Sequence, residues 1–404
     1  MTATSLFPLR AESELLLLCA RTGIDERLKA RIRNKAQQPL DWHQLFESAQ
    51  RHGVGPLVFR ALGDACPDLV PAAVLTQLRQ RTQASTLLNR LLAKELGELC
   101  EAFAAGKVSV MPIKGATLAA MGYRDLTLRD FSDMDLLIHE ASLAESERVL
   151  NAAGYRRKGE RDADDHDDGP YHVFLKPRTL FRVDVQWVMA HEHFAFRLDR
   201  PDFWERSVSV ALDDKTVQSL SPEDLLILLC VHGSKHVWEQ LKWVCDVAEL
   251  LRTQSGMNWR VVMSAAGRWR CRRLVLMGLW LAHHLLEAPL PEDMLVRCQL
   301  DRDVQMFARR MPSQLLADPA AGIGEEQAVA FYFSLKDSWW ERWRFGMALC
   351  RSGNRVVTEP PGWFRWRRSL TSLGRVTSPV QRLVRKLLPT SVRGIINRWV
   401  EQGV

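Results

Sequence analysis

The chain has 404 residues, 47% of them hydrophobic and 25% charged, which suits a soluble protein of two or three packed domains. Fifty-five Lys and Arg against 48 Asp and Glu give a formal charge of +7, which permits an acidic partner without demanding one. Eight scattered cysteines with no CxxC pair argue against a zinc site or a disulfide framework, and for buried free thiols in a reducing compartment.

The opening "MTATSLFPLRAESELLLLCARTG" places acid before a very short apolar run and lacks the basic-then-apolar order of a signal peptide. The longest later run, "LVLMGLWLAHHLL" (Leu274 to Leu286), is too short to span a bilayer and holds two histidines. The expectation is a cytoplasmic protein.

Residues 1 to about 105 read as helical. "DWHQLFESAQRHGVGPLVFRAL" has apolar residues at helical spacing, interrupted by the stop signal "HGVGP". "TLLNRLLAKELGELCEAFAAG" predicts a long amphipathic helix closed by Gly106 as a C′ glycine. Short strands follow at "VSVMPIKG" and "MDLLIH", then a capped helix over Ser142 to Tyr155, then "HVFLK" and "LFRVDVQW", which predict a hairpin through "PRT". This stretch reads as the only strand-rich part of the chain. From about 200 onward the pattern is helical again, with Ser221 as an N-cap ahead of Glu223 and Asp224.

The chemistry concentrates in "RDFSDMDLLIHE". Strands avoid aspartate, yet Asp133 and Asp135 sit two apart and so project to one face, roughly 6–7 Å apart. A divalent cation ligated by both would offset their repulsion, and oxygen-only ligation selects Mg²⁺ or Mn²⁺. Asp184, mid-strand between Val183 and Val185, is the natural third carboxylate. Two metals about 4 Å apart would serve in-line phosphoryl transfer. "PIKGATLAA" gives strand, glycine and helix start, aiming backbone N–H groups at an anion, with Lys114 and Arg129 adding positive charge.

"IKGATLAAMGYRDLTLRDFSDMDLLIHE" resembles the nucleotidyltransferase superfamily, with its polymerase-beta-like core, a glycine loop and "SDxD" between apolar flanks. More narrowly, the chain is similar to a bacterial family of uncharacterised nucleotidyltransferases. Five blocks carry that likeness in order, from about residue 40 to about 255: "AQRHGVGPLVFRAL", "IKGA", "RDFSDMDLL", "VDVQW" and "VHGSKHVWEQLKWVCDVAELL".

The resemblance implies an α+β fold, a small mixed β-sheet nucleotidyltransferase core flanked by helical N- and C-terminal regions. The expected organisation is a helical region over 1–105, the catalytic core over 106–200, a helical domain over 201–330 and a basic Trp/Arg-rich tail over 331–404. It further implies Asp133, Asp135 and Asp184 as metal ligands and catalytic residues. Lys114, Gly115, Arg129 and Ser132 then become nucleotide-binding residues. The partners implied are an NTP and an unidentified acceptor, whether a small molecule, a glycan or a protein hydroxyl. Two features depart from the family pattern. Gly115–Ala116 replaces the usual glycine–serine pair, leaving Thr117 or Ser132 to supply the hydroxyl, and Gln186 stands where histidine is frequent.

His232 and His236 share a helix face at i, i+4, with Lys235 and Lys242 nearby. Without HExxH order they read better as a wall of the nucleotide or acceptor pocket than as a zinc site. Asp246 is expected to pair with Lys242. The acidic loop Gly159 to Gly169 reads as solvated. The tail from Trp363 to Trp399 is basic without a single acid, a composition suited to anionic membrane or nucleic acid, although a helical cap packed on the body is the favoured reading. The rival functions are a catalytically inactive nucleotide- or partner-binding relative, and a basic membrane- or RNA-associated scaffold.

Overall fold

A computed structural model describes residues 9–158, 171–188, 201–316 and 325–351. Four helices, α1 (Ala11–Cys19), α2 (Glu26–Ala36), α3 (Trp42–Arg51) and α4 (Gly55–Ala65), precede the long α5 (Ala72–Ala105). "HGVGP" ends α3 and starts α4, as its Gly/Pro content predicts. Leu92, Leu96, Leu99 and Phe103 form a buried stripe along the second half of α5, spaced as a helix face requires. The helix stops where expected, but Gly106 is right-handed and Lys107 takes the positive φ of 56°. Gly106 is needed for space instead: a Cβ there would fall 2.9 Å from Val149.

The sheet follows. β1 (Val110–Pro112) leads into the short α6 (Ala116–Leu118), continued by one π turn over Ala119–Tyr123. Then come β2 (Met134–Ile138), α7 (Leu143–Ala152), β3 (Arg156–Arg157), β4 (Tyr171–Leu175) and β5 (Arg182–Gln186). The order is β1-β2-β5-β4-β3, with β2 and β5 parallel and the other pairs antiparallel. Pro112 fits because β1 is an edge strand. The predicted hairpin is present, pairing Leu175 with Arg182 and Tyr171 with Gln186. Ser142 does not cap α7 through its side chain; its carbonyl accepts the Ser146 hydroxyl.

The helical reading of residues beyond 200 is corrected at its start. After α8 (Pro201–Glu205), β6 (Val208–Leu212) and β7 (Lys215–Ser219) form a second antiparallel hairpin, with Asp213 at φ 50° in its turn. The alternation of "VSVALDDKTVQS" carried that signal. The hairpin lies against β1 and α5, where the Ser219 hydroxyl donates to the Pro112 carbonyl at 2.7 Å and the Lys215 stem crosses Gly97.

The remaining elements are α9 (Pro222–Lys235), α10 (Leu241–Thr253), α11 (Trp259–Arg268), α12 (Arg272–Leu286), α13 (Glu292–Leu300), α14 (Arg302–Ala308), α15 (Met311–Leu315), α16 (Glu325–Ser334) and α17 (Trp339–Arg351). Ser221 caps α9 by accepting from the Asp224 N–H, as its position predicts. α12 is a buried core helix, and no helix among the described residues is long and apolar enough to cross a membrane. The seven described cysteines are free, and all but Cys100 are buried. The acidic loop and the tail from residue 352 lie outside the described residues. In α17, Trp340 stacks on Trp343, whereas Trp339 is 70% exposed.

Two apolar cores divide these elements. One joins α1 to α4 with α9 to α14, so the helices before and after the sheet form a single body. The other fills the space between the sheet, α5, α7 and the β6–β7 hairpin. β2 separates them: Met134, Leu136 and Ile138 enter the second core, and Leu137 enters the first. By the two-residue period of a strand, Asp135 shares Leu137's face and looks toward the helical body.

Candidate active site

Asp135 and Asp184 stand directly opposite each other on the parallel pair β2–β5. Their strands are buried elsewhere, so the same alternation that puts Val183 and Val185 in the core turns Asp184 and Gln186 to the face Asp135 occupies. Asp133 lies two residues before Asp135, at the mouth of β2, half-buried. The three carboxylates therefore gather at one edge of the sheet's helical face.

Each strand carboxylate has a cation. Lys114 Nζ lies 3.1 Å from Asp135 Oδ2, and Gln186 Nε2 donates to Asp135 Oδ1 at 3.2 Å. Arg182 grips Asp184 through two bonds of 2.7 and 2.8 Å. Burial raises the Asp135 pKa, Lys114 pulls it back, and the like charges of Asp133 and Asp184 push it further up. Burial also raises the Asp184 pKa against the pull of Arg182. Asp133 has no hydrogen-bond or ion-pair partner among the described residues.

Gly115 adopts φ 59° and ψ −121°, a conformation open to glycine alone, and passes close over the Asp133 carbonyl. This turn brings Lys114 to Asp135. The Thr117 hydroxyl is buried and donates to the Lys114 carbonyl at 3.0 Å, so it locks the turn. Ser132 is exposed and is the hydroxyl open to a ligand.

Arg129 is engaged elsewhere. Its guanidinium binds both oxygens of Asp246 at 2.7 and 2.9 Å, and Tyr123 adds a third bond to Asp246 at 2.8 Å. The expected Asp246–Lys242 pair gives way to this one, because the loop after α6 inserts Arg129 against α10. Burial opposes the Arg129 charge, but Asp246 outweighs it and raises the pKa. The same loop is held from α5, where Asn89 donates to the Leu126 and Arg129 carbonyls and Ser85 bonds Asp130. These clamps fix the chain that delivers Asp133. Nothing in the local sequence marks Asn89 or Ser85 for this role.

His232 and His236 are within reach of the Lys114 charge. Their rings meet edge to face at 4.8 Å, and His236 stacks on Trp243 at 4.7 Å. Both are neutral: burial, then Lys114 and His236, hold His232 well below its ordinary value, and burial with Lys235 takes His236 to about 3. Each ring is deep enough to lose its proton yet still partly open. The Lys235 carbonyl accepts the Tyr332 hydroxyl at 2.6 Å.

A family model described as uncharacterised nucleotidyltransferase matches residues 38–287, more than half of the chain. The chain belongs to this family. The match takes in the glycine turn, the three aspartates and both histidines, and stops one residue after α12. No curated protein matches the chain. Nucleotidyltransferases move a nucleoside monophosphate, and an NTP is the ligand such a family binds.

Three carboxylates offer the oxygen-only donors that a hard divalent cation prefers, and Lys114 and Arg182 meet their mutual repulsion. Among the described residues no three His, Cys, Asp or Glu side chains are gathered as a formed cage. Lys114 and Gln186 bond the Asp135 oxygens and Arg182 those of Asp184 instead.

Proposed function

We propose that the protein transfers a nucleoside monophosphate from an NTP to an acceptor hydroxyl and releases pyrophosphate. The facing of Asp135 and Asp184 across β2–β5, with Asp133 at the strand's mouth, carries the reading. Asp133, Asp135 and Asp184 would hold Mg²⁺ or Mn²⁺, which when bound supplies Lewis-acid polarisation and charge neutralisation at the phosphates.

The chain's own residues do the rest. Backbone amides after Gly115 and the Ser132 hydroxyl face the phosphate oxygens, and Lys114 neutralises charge there. The acceptor oxygen forms a bond to the α-phosphorus as the bond to the β-phosphate bridging oxygen breaks. The acceptor proton passes to the Asp184 carboxylate, whose basicity burial raises. Gln186 fixes the rotamer of Asp135. His232, His236 and Trp243, within range of the Lys114 charge, would offer a stacking surface for a base or an acceptor.

The test incubates the full chain with each α-labelled NTP, Mg²⁺ or Mn²⁺ and cell extract, alongside Asp133→Asn/Asp135→Asn. Label transfer in the wild type that disappears in the double variant is expected. Absence of transfer from every NTP would sink the enzymatic reading. The Thr117 hydroxyl, closed on Lys114, favours one rival: a relative that binds nucleotide without turning it over. Saturable NTP binding with no label transfer identifies that case.

A further inference from the structure

Lys242 is the second residue of α10, and its half-buried ammonium has no ion-pair or hydrogen-bond partner among the described residues. It lies 6.0 Å from the centre of the Trp243 ring, within electrostatic range of Asp133, Asp130, Asp246 and Arg129. Asp246 is already held by Arg129, and Asp130 accepts the Ser85 hydroxyl. Burial and then Arg129 lower its pKa, as befits a charge held without a counter-ion. A cation kept out of water is costly unless an anion meets it.

Its place is set from the other end of the chain. The His52 carbonyl accepts the Lys242 N–H at 3.1 Å, and His52 Nδ1 accepts the Leu241 N–H at 3.3 Å. These are the first free N–H groups of α10, whose own N-cap residue, Gln240, provides no side-chain cap. The fully enclosed His52 thus caps α10 from the N-terminal helices. Gly53, at φ 64°, runs along the lysine stem: a Cβ there would fall 2.8 Å from Lys242 Cδ and 3.5 Å from its Cβ.

We propose that the His52–Gly53 turn is a positioning element of the active site, holding the Lys242 ammonium by the Trp243 ring, within electrostatic range of Asp133, to receive the polyphosphate of the nucleotide. The proposal rests on the nucleotidyl-transfer reading. It gives Lys242 the role expected of Arg129, whose guanidinium is closed on Asp246. A lysine suits it, being a compact point charge able to follow phosphate oxygens on a stem fixed at its base.

The test is equilibrium binding of each NTP and of inorganic tripolyphosphate to the full chain, read by tryptophan fluorescence. Lys242→Met keeps the stem against Gly53 and removes only the charge. It is expected to weaken both probes about tenfold, with Lys242→Arg restoring most of the loss. Gly53→Ala is expected to weaken them similarly, and the double variant to show no loss beyond the larger single one. Unchanged binding in Lys242→Met, with NTP binding intact in the wild type, overturns the proposal and leaves the transfer reading standing. Additive losses for Gly53→Ala and Lys242→Met overturn the positioning role. A wild type that binds no NTP overturns both readings together.

Discussion

The two faces of β2 and β5 carry opposite chemistry on one backbone. Met134, Leu136, Ile138, Val183 and Val185 pack into a closed apolar core, while Asp135, Asp184 and Gln186 look toward the helical body from the other side. A second contrast lies within the charged side itself. Arg129–Asp246 is sealed and carries a third bond from Tyr123, and Lys114 on Asp135 is nearly as enclosed, whereas Arg182 on Asp184 is 46% exposed at its side chain. The sealed pair holds the loop in place, and Arg182 is the cation of the face that solvent reaches.

The largest effect separates the two faces. Asp135→Asn is expected to cut label transfer by about a thousandfold or more, the rate equivalent of several kcal/mol, with folding retained by circular dichroism. Transfer at the wild-type rate would end the catalytic assignment of this face.

Next comes the sealed pair. Asp246→Ala strands Arg129 as a buried cation and is expected to cost about 3–5 kcal/mol in urea unfolding. Replacing both partners, as Arg129→Met/Asp246→Leu, should recover most of that stability. A small loss in the single variant would mean that the pair is not closed to water.

On the apolar face, Leu136→Ala removes a fully buried side chain and is expected to cost about 3 kcal/mol. Transfer per folded molecule should hold in that variant, and a selective loss of transfer would erase the division between faces.

The smallest effect is a pH dependence. Burial, aided by Arg51, takes His52 to about 3, so between pH 6.5 and 3 the unfolded chain binds a proton the folded chain does not. The His52 contribution to stability is present above pH 6.5 and declines as pH falls, by about 1 kcal/mol at pH 5.5. His236 acts in the same sense, while the raised pKa values of Asp135 and Asp184 act in the opposite one at lower pH. Urea unfolding at pH 7.5 and 5.5, compared with His52→Gln, reads the slope. A slope undiminished in His52→Gln excludes this turn as a source, since His236 and His232 account for the remainder.

The sequence by itself determined much of the fold's outline. The α5 stripe, the glycine turn, the β4–β5 hairpin and the Ser221 cap each have a local period or a local turn residue behind them. It also singled out Asp133, Asp135 and Asp184, because aspartate within an apolar strand conflicts with the strand's own pattern. The β6–β7 hairpin was written there too, in an alternation overshadowed by the helices that follow. Tertiary structure alone decided which charges meet. Arg129 lies 117 residues from Asp246, and His52 lies 189 from Leu241. No local period spans such distances, since partner choice across them depends on how two helical halves close into one core. That closure pairs Arg129 with Asp246 and leaves the Lys242 ammonium without an ion-pair partner among the described residues.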